Sequence, residues 1–466
     1  MADRVDPPEP NRAGRLASVP ARAVAVVIVA AVLVATGLVL DGVVGPKGPA
    51  LAIPSAGVSG ALFCPHGGQA GSQGWVVVAN PGPRRVRIRL TQLTEDGKRS
   101  VTSFGVGAQR QVYRQVSADD PADATEVEYF GGWVGAAAIV AKNGSGGIAA
   151  ERCESASHRN SFVLDLPTGS NQASYLVVMN PFDESAEFDV RLRTEQREVA
   201  AGALTPYVLP PQHSVGIPID RYLLLGPGEQ SLTAQVTQRM GRVVAGSLET
   251  SAAGIRAEVA IPAAQTSWIV PAGGDSGTRQ LVVLNNGDSR ADLSAVAEGP
   301  SSQRLVSGPE GLTVGPGEVK TFSPERMKDA GLLVDSTNGR PILVAVRLTG
   351  PRGDSAIVSG TSTTARRWLV LPALPPVEGR SIVLVQNPGR SRVEVSFQLF
   401  GSDGSAASIR SRSIPPGRTI KVILPNQGGR PVSTVVTARG GTVVAAIASY
   451  FSDRAGYAAT LGLPMK

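Results

Sequence analysis

The chain has 466 residues and a mass of 48.1 kDa, of which 42% are hydrophobic, 18% charged and 5% aromatic, with 54 Gly and 35 Pro; this excludes general disorder and collagen and suits a turn-rich β protein. Three His and two Cys exclude a metal array, a haem relay or a scaffold of several disulfides. The net charge of +7 is spread without a long run of one sign, which points away from nucleic acid.

The first element is an uncharged apolar run, Ala23 to Leu40 (AVAVVIVAAVLVATGLVL), close to the ~20 residues of a membrane-crossing helix. Arg4, Arg12, Arg15 and Arg22 precede it and Asp41 follows, so the positive-inside rule assigns residues 1–22 to the cytoplasm and the rest of the chain to the outside. Ala50–Ala52 lies too far from the run for signal cleavage, and Cys64 is badly placed for lipid attachment. The reading adopted is an uncleaved signal anchor over 23–40, then a Pro/Gly spacer over 41–59.

Beyond it one pattern occurs four times. A hydrophobic run ends in Asn at Val76-Val-Val-Ala-Asn80, Leu176-Val-Val-Met-Asn180, Leu281-Val-Val-Leu-Asn285 and Val383-Leu-Val-Gln-Asn387. Counted from each Asn, positions +6, +8 and +10 are apolar: Val86, Ile88, Leu90; Ala186, Phe188, Val190; Ala291, Leu293, Ala295; Val393, Val395, Phe397. Alternation held in phase predicts a half-buried strand. A turn marker follows (Val106-Gly107, Leu209-Pro-Pro211, Val314-Gly-Pro316, Ile414-Pro-Pro416), and a Gly-led or Asp-led strand stands near each unit's end. An aromatic opens each unit at Phe63, Phe162, Trp268 and Trp368, which are read as equivalent positions. The boundaries are 60–159, 160–265, 266–365 and 366–466.

Units of this size with short strands and frequent turns predict an all-β chain: four tandem immunoglobulin-like antiparallel β-sandwich modules after one N-terminal transmembrane helix. Modules that each own a core, joined without flexible linkers, are expected to stand in file as a rod or arc. The set of aromatic-Pro, LVVxNP, alternating strand and G-x-VVA motifs resembles the tandem β-modules of an actinobacterial, N-terminally anchored envelope protein family of unknown function. That resemblance implies a fold and a location and supplies no catalytic residue.

Candidate chemistry is sparse. Cys64 and Cys153 lie at opposite ends of module one, and an exported domain favours their disulfide; the alternative adds His66 and His158 as a zinc site. Gly274-Asp275-Ser276-Gly277 resembles a serine-protease nucleophile motif, but the remaining histidine, His213, belongs to another module and the segment reads as a turn. Arg352-Gly353-Asp354 likewise reads as the turn before a strand. Arg85, Arg87 and Arg89 form a stripe suited to an anionic polymer or, more simply, a solvated face; a wall-glycan reading would add Trp75 or Trp133 as exposed platforms. The expectation is a non-enzymatic, membrane-anchored extracytoplasmic scaffold of the cell envelope, with no cofactor, no metal and no nucleic acid. Its partner would be an envelope protein or a wall polymer; the alternative is a cell-wall glycan or anionic-polymer binding protein.

Overall fold

The structure, a computed structural model, describes residues 58–465 apart from 143–146, 170, 200, 223–228, 230, 252–253, 272–278, 307–310, 325–328, 351 and 405. The expected membrane segment 23–40, nearly all of the spacer 41–59 and the Gly274–Gly277 motif lie outside the described residues. No helix among the described residues is long and apolar enough to cross a membrane.

The described chain is all-β, in antiparallel sheets. Module one holds β1 (Ser59–Cys64), β2 (Ser72–Asn80), β3 (Val86–Thr94), β4 (Gly97–Val106), β5 (Arg110–Val116), β6 (Ala124–Phe130), β7 (Gly135–Lys142) and β8 (Ile148–Arg152). An outer sheet has the order β1-β6-β3-β4 and an inner sheet β5-β2-β7-β8. The inner-sheet order recurs three times: His213–Pro218, Gln172–Asn180, Val244–Ser251, Gly254–Val259; Val319–Phe322, Arg279–Leu284, Leu343–Thr349, Ser355–Ser359; and Arg418–Leu424, Arg380–Asn387, Val444–Tyr450, Tyr457–Leu461.

The two sheets obey different patterns because they meet different surroundings. In β3, Val86, Ile88 and Leu90 are buried while Arg87 and Arg89 are exposed, since the outer sheet covers the core with one face and meets water with the other. The +6, +8 and +10 residues of all four copies are buried. The β2-type strand is apolar without alternation because both its faces are covered. In module two, Leu176 and Val178 enter that module's own core, whereas Val177 packs with Val140 and Ala149 of module one and Met179 with Phe63 and Leu93.

The recurring Asn is a clamp. The Asn80 amide donates to the carbonyls of Arg84, Val106 and Gly107 at 2.7, 3.2 and 2.8 Å, while its Oδ1 accepts from Gly82 N. Asn180, Asn285 and Asn387 repeat this on Glu184, Leu209 and Pro210; on Ser289, Val314 and Gly315; and on Ser391, Ile414 and Pro415. One buried amide thereby satisfies backbone carbonyls in two separate turns, the kind of group that is costly to bury unpaired. The Asn and the turn marker some thirty residues later are thus two halves of one contact.

Trp268 and Trp368 are core residues, their indoles donating to Ile342 O and Val443 O at 2.8 and 2.7 Å. Their equivalence with Phe63 and Phe162 is corrected by one residue. Trp268 pairs across its sheet with Val334, Trp368 with Val436, Leu62 with Val127 and Ser161 with Val236. Phe63 and Phe162 therefore align with Ile269 and Leu369 and point to the opposite face, where Phe63 meets Phe182 of module two edge to face at 5.5 Å.

The expected rod is also corrected: the four units close into a ring. Gln111, Ser214 and Thr419 are each the second residue of a β5-type strand, and each is buried against the preceding module. Ser214 Oγ donates to Ala122 O, and Thr419 Oγ1 accepts from Gly331 N at 3.1 Å. Gln111 reaches from module one to module four, donating to Pro431 O at 2.7 Å and accepting from Ser433 Oγ at 2.6 Å. Between modules two and three, Arg193 Nη1 donates to Gly317 O at 2.5 Å. At the centre, β8, Gly254–Val259, Ser355–Ser359 and Tyr457–Leu461 each pack against two of the others. Small residues permit this convergence. A methyl on Gly147, whose φ is +113°, would lie 3.1 Å from the Gly254 Cα, so the first turn of the axis has room only for glycine. One hydrophobic core runs through modules one, three and four and takes in Phe162, Leu164 and Ile261 of module two, and a separate one fills the rest of module two.

Candidate functional site

Cys64 ends β1 and Cys153 follows β8; the backbones meet through Phe63 N to Glu154 O at 2.7 Å and its return bond at 2.8 Å. The two sulfurs are bonded at 2.00 Å, so neither serves as a zinc thiolate, and the Cys/His alternative is set aside. His66 is buried, its Nδ1–H donating to Gly67 O and its Nε2 accepting from Thr125 Oγ1. Burial lowers its pKa to about 4, so the ring is neutral at pH 7. Among the described residues no three His, Cys, Asp or Glu gather in a way that could hold a metal.

The densest buried charge lies where module two meets module three. Asp165, in the left-handed region at φ 61°, receives Arg347 Nε at 2.6 Å and Nη2, together with Arg256 Nη1 at 3.3 Å. Arg256 also pairs with Glu249 and donates to the Asp165 carbonyl, and Arg347 Nη1 donates to Gln280 at 2.7 Å. Alongside, Glu258 accepts from Ser359 Oγ of module three. Burial pushes Glu258 up to about 8 and raises Glu151, on the neighbouring axial strand, well above the carboxylate range. A cleft of about 410 Å³ opens here, lined by Glu229, Glu249, Arg256 and Arg347 among others. Every nitrogen of both guanidinium groups already faces an oxygen of the protein, so the cluster's chemistry is directed at holding the modules together. Nothing in the repeat motifs pointed to these residues; the one sequence signal was Arg256 and Glu258 interrupting an apolar axial strand.

Of the arginine stripe, Arg89 is engaged: it grips Glu128 on the adjacent strand, with Nη2 to Oε1 at 2.6 Å. Arg85 and Arg87 line an open groove of about 660 Å³ with Ser103, Phe104, Gly105, Phe130 and Gly131. Arg87 stands directly across from Phe130 in the β3–β6 register, its guanidinium 5.1 Å from the ring centroid, and Arg85 lies across the bare face of Gly105. Arg114, on β5, covers Phe104 at 4.5 Å on the other side of that sheet, where Phe104 stands across from buried Ile88 and packs against the core. Sequence reading missed Phe130, because it reaches Arg87 only through the pairing of β6 with β3, whose partners are more than thirty positions apart in the chain. The tryptophans offer no platform beside the stripe: Trp133 is buried and Trp75 packs partly buried against the core. In Arg352-Gly353-Asp354, the Asp354 carboxylate is buried and accepts from Gly456 N at 2.6 Å, as befits a turn before a strand.

A family of unknown function, DUF5719, matches residues 122–380, more than half of the chain. The chain belongs to DUF5719. The matched span contains Asp165, Arg256, Glu258 and Arg347, whereas the groove arginines of module one lie before it. No curated protein matches the chain. Among solved structures, a tetra-tandem repeat from the extending region of a large adhesion protein is 10% identical over 88% of this chain and 99% of its own, with a TM-score of 0.11. An α-L-rhamnosidase of Streptomyces avermitilis, complexed with L-rhamnose, is 10% identical over 86% of this chain and 58% of its own, with a TM-score of 0.13. At those scores neither likeness bears on fold or function.

Proposed function

We propose that this DUF5719 member is a non-enzymatic, single-pass membrane protein of the cell envelope, anchored by residues 23–40, whose four immunoglobulin-like modules form an extracytoplasmic interaction scaffold. The observation that carries this reading is the use made of buried charge: Asp165, Arg256, Arg347 and Glu258 bind one module to the next and to each other, so that among the described residues this cluster presents no acid–base pair to a substrate. The Cys64–Cys153 disulfide fits an oxidising compartment, and the sequence resemblance to anchored actinobacterial modules with Asn-Pro turns adds to it. A reporter fused after residue 60 tests the topology: activity is expected only from one that works outside the cytoplasm, and cytoplasmic activity overturns the reading.

A second reading, binding of an anionic cell-wall polymer, is favoured by the groove of Arg85 and Arg87, whose charges have no carboxylate partner among the described contacts. Pull-down on purified cell wall at two salt concentrations tests it, with retention expected at low salt and loss at high salt.

A further inference from the structure

We propose that the end of the ring carrying the Asn turns of modules one and four docks on an anionic phospholipid surface, the outer face of the membrane that holds the anchor. The inference rests on the first reading above, which places that anchor at residues 23–40, and names the surface that the ring meets.

The repeat fixes which turns share an end. The four axial strands run parallel and level: they meet near their starts through Gly147 with Gly254 and Asp354 with Gly456, and near their ends through Arg152 with Thr460 and Glu258 with Ser359. Each Asn stands at that second end, because the strand it closes pairs with a neighbour whose start lies beside the last axial residues. The pairs are Ala79 with Gly135 and Ala137 with Arg152 in module one, and Gln386 with Val444 and Ala446 with Leu461 in module four. Modules two and three repeat the register. There modules one and four expose Arg84, Arg85, Arg390, Arg392 and Arg439; Glu394, across from Arg439, offsets one of them. The corresponding turn of module two exposes Asp183 and Glu184, and that of module three balances Asp288 with Arg290, so the positive charge is local to modules one and four. The opposite end, near the starts of the axial strands, exposes Asp119, Asp120 and Asp453 beside Arg99 and Arg454 and carries no such excess.

The described chain begins at the basic end. Gly131 and Gly132 donate to Val58 O at 3.1 Å, and Gly131 lines the groove with Arg85. Residues 41–57 join Val58 to the anchor, a tether of at most about 60 Å, and a tether fixed here confines this end rather than the opposite one to the neighbourhood of the bilayer. A free polymer gains nothing from that placement. A surface of lipid phosphates meets guanidinium groups of two adjacent modules at once, and each one near such a surface strengthens the attraction about fivefold.

The test uses the full chain reconstituted in vesicles of phosphatidylcholine alone or with about 30% phosphatidylglycerol, whose charge attracts basic groups within a Debye length. Amide exchange at residues 84–85 and 389–392 is expected to slow by about fivefold or more in the anionic vesicles, to recover in high salt, and to stay unchanged at residues 117–120 on the opposite end. Arg390→Glu combined with Arg392→Glu should remove the protection from both modules, whereas Arg390→Lys combined with Arg392→Lys, which keeps the charge, should retain it; unchanged melting separates lost docking from lost folding. Equal exchange in the two kinds of vesicle overturns the proposal, as does protection that the double Glu variant keeps or that appears equally at residues 117–120. Stronger protection by free poly(glycerol phosphate) in neutral vesicles than by phosphatidylglycerol also overturns it and assigns this end to a wall polymer. Flotation with neutral vesicles in high salt reads the anchor by itself: flotation without lipid-dependent protection sinks the docking alone, and absence of flotation sinks the anchor reading with it.

Discussion

Gln111 of the first module and Ser433 of the fourth are hydrogen-bonded at 2.6 Å although they stand 322 positions apart, and both are wholly buried. This contact joins the end of the repeat to its beginning. Gln111→Ala would leave the Ser433 hydroxyl and the Pro431 carbonyl without their partner, a loss of about 2–3 kcal/mol. Hydrogen exchange is expected to rise first at the seam between modules one and four, around Gly401 and Pro431; a uniform rise through the ring would contradict that assignment.

Core truncations should separate the two hydrophobic clusters. Phe188, buried in module two and stacked on Tyr207 at 5.3 Å, belongs to a core of its own, so Phe188→Ala should cost ~3–5 kcal/mol and open residues 160–265 first in limited proteolysis. Phe397 lies in the core that runs on into modules one and three, and Phe397→Ala should loosen those as well. Asp189→Ala on the outer face should cost no more than about 1 kcal/mol, since that carboxylate is held by exposed Arg239 at 2.8 Å and surface pairs contribute little.

The Asn clamp offers a sharper probe than any single core residue. Asn285→Ala would strip three carbonyls of their donor at once, and a loss of about 3 kcal/mol is expected in denaturant unfolding. Asn285→Asp, which keeps the shape and removes the donors, should be no milder. A loss below about 0.5 kcal/mol would mean that water replaces the amide.

Stability should depend on pH through the axis. Glu258 titrates at about 8 in the folded protein against 4.5 when free; the folded state holds the extra proton, so this stabilisation is complete below pH 4.5 and is lost as pH rises through 8. His66 works the other way, its value falling from 6.5 to about 4, so the fold loses stability as pH falls from 6.5 through 4. Between pH 6.5 and 8 the Glu258 effect stands clear of the His66 one, and the melting temperature should fall there with rising pH. Glu258→Gln should make that slope shallower, with buried Glu151 on the neighbouring axial strand, whose pKa is also raised, supplying part of what remains; an unchanged slope would place the titrating group elsewhere.

Much of each module was legible because the outer strands carry their burial in their alternation: Val86, Ile88 and Leu90 inward, Arg87 and Arg89 outward. The inner strands carried a signal that went unused. Runs such as Leu176-Val-Val-Met have no polar face, which an isolated two-sheet module facing water would require; the unbroken apolarity was itself the mark of a strand covered on both sides. The phase of Phe63 and Phe162 was lost for a related reason, because an aromatic is equally apt for a core and for a seam, and only the pairing register tells them apart. Asp165, Arg256 and Arg347 come from three separate strands, and no local spacing announces that a ring will bring them together. The groove is half legible: Arg85 and Arg87 stand in the sequence as a stripe, but Phe130 joins Arg87 only because β6 pairs with β3.

Removing the tie between the first and last strands of module one gives another quantitative test. The Cys64–Cys153 bond spans 89 positions, and in the chain-entropy account closing such a loop contributes ~4 kcal/mol. Reduction should lower the unfolding midpoint accordingly, with no free thiol titrating beforehand; two free thiols in the untreated protein would contradict the bond.

Small-angle X-ray scattering on residues 58–466 tests the closed ring most directly. A compact body of this length has a radius of gyration of about 22 Å by the scaling of globular chains, whereas four separate modules in file would approach roughly 40 Å. The closed ring predicts a value in the low to middle twenties with a single compact distance distribution. A value near 40 Å, with a long tail of large distances, would contradict it and restore the rod.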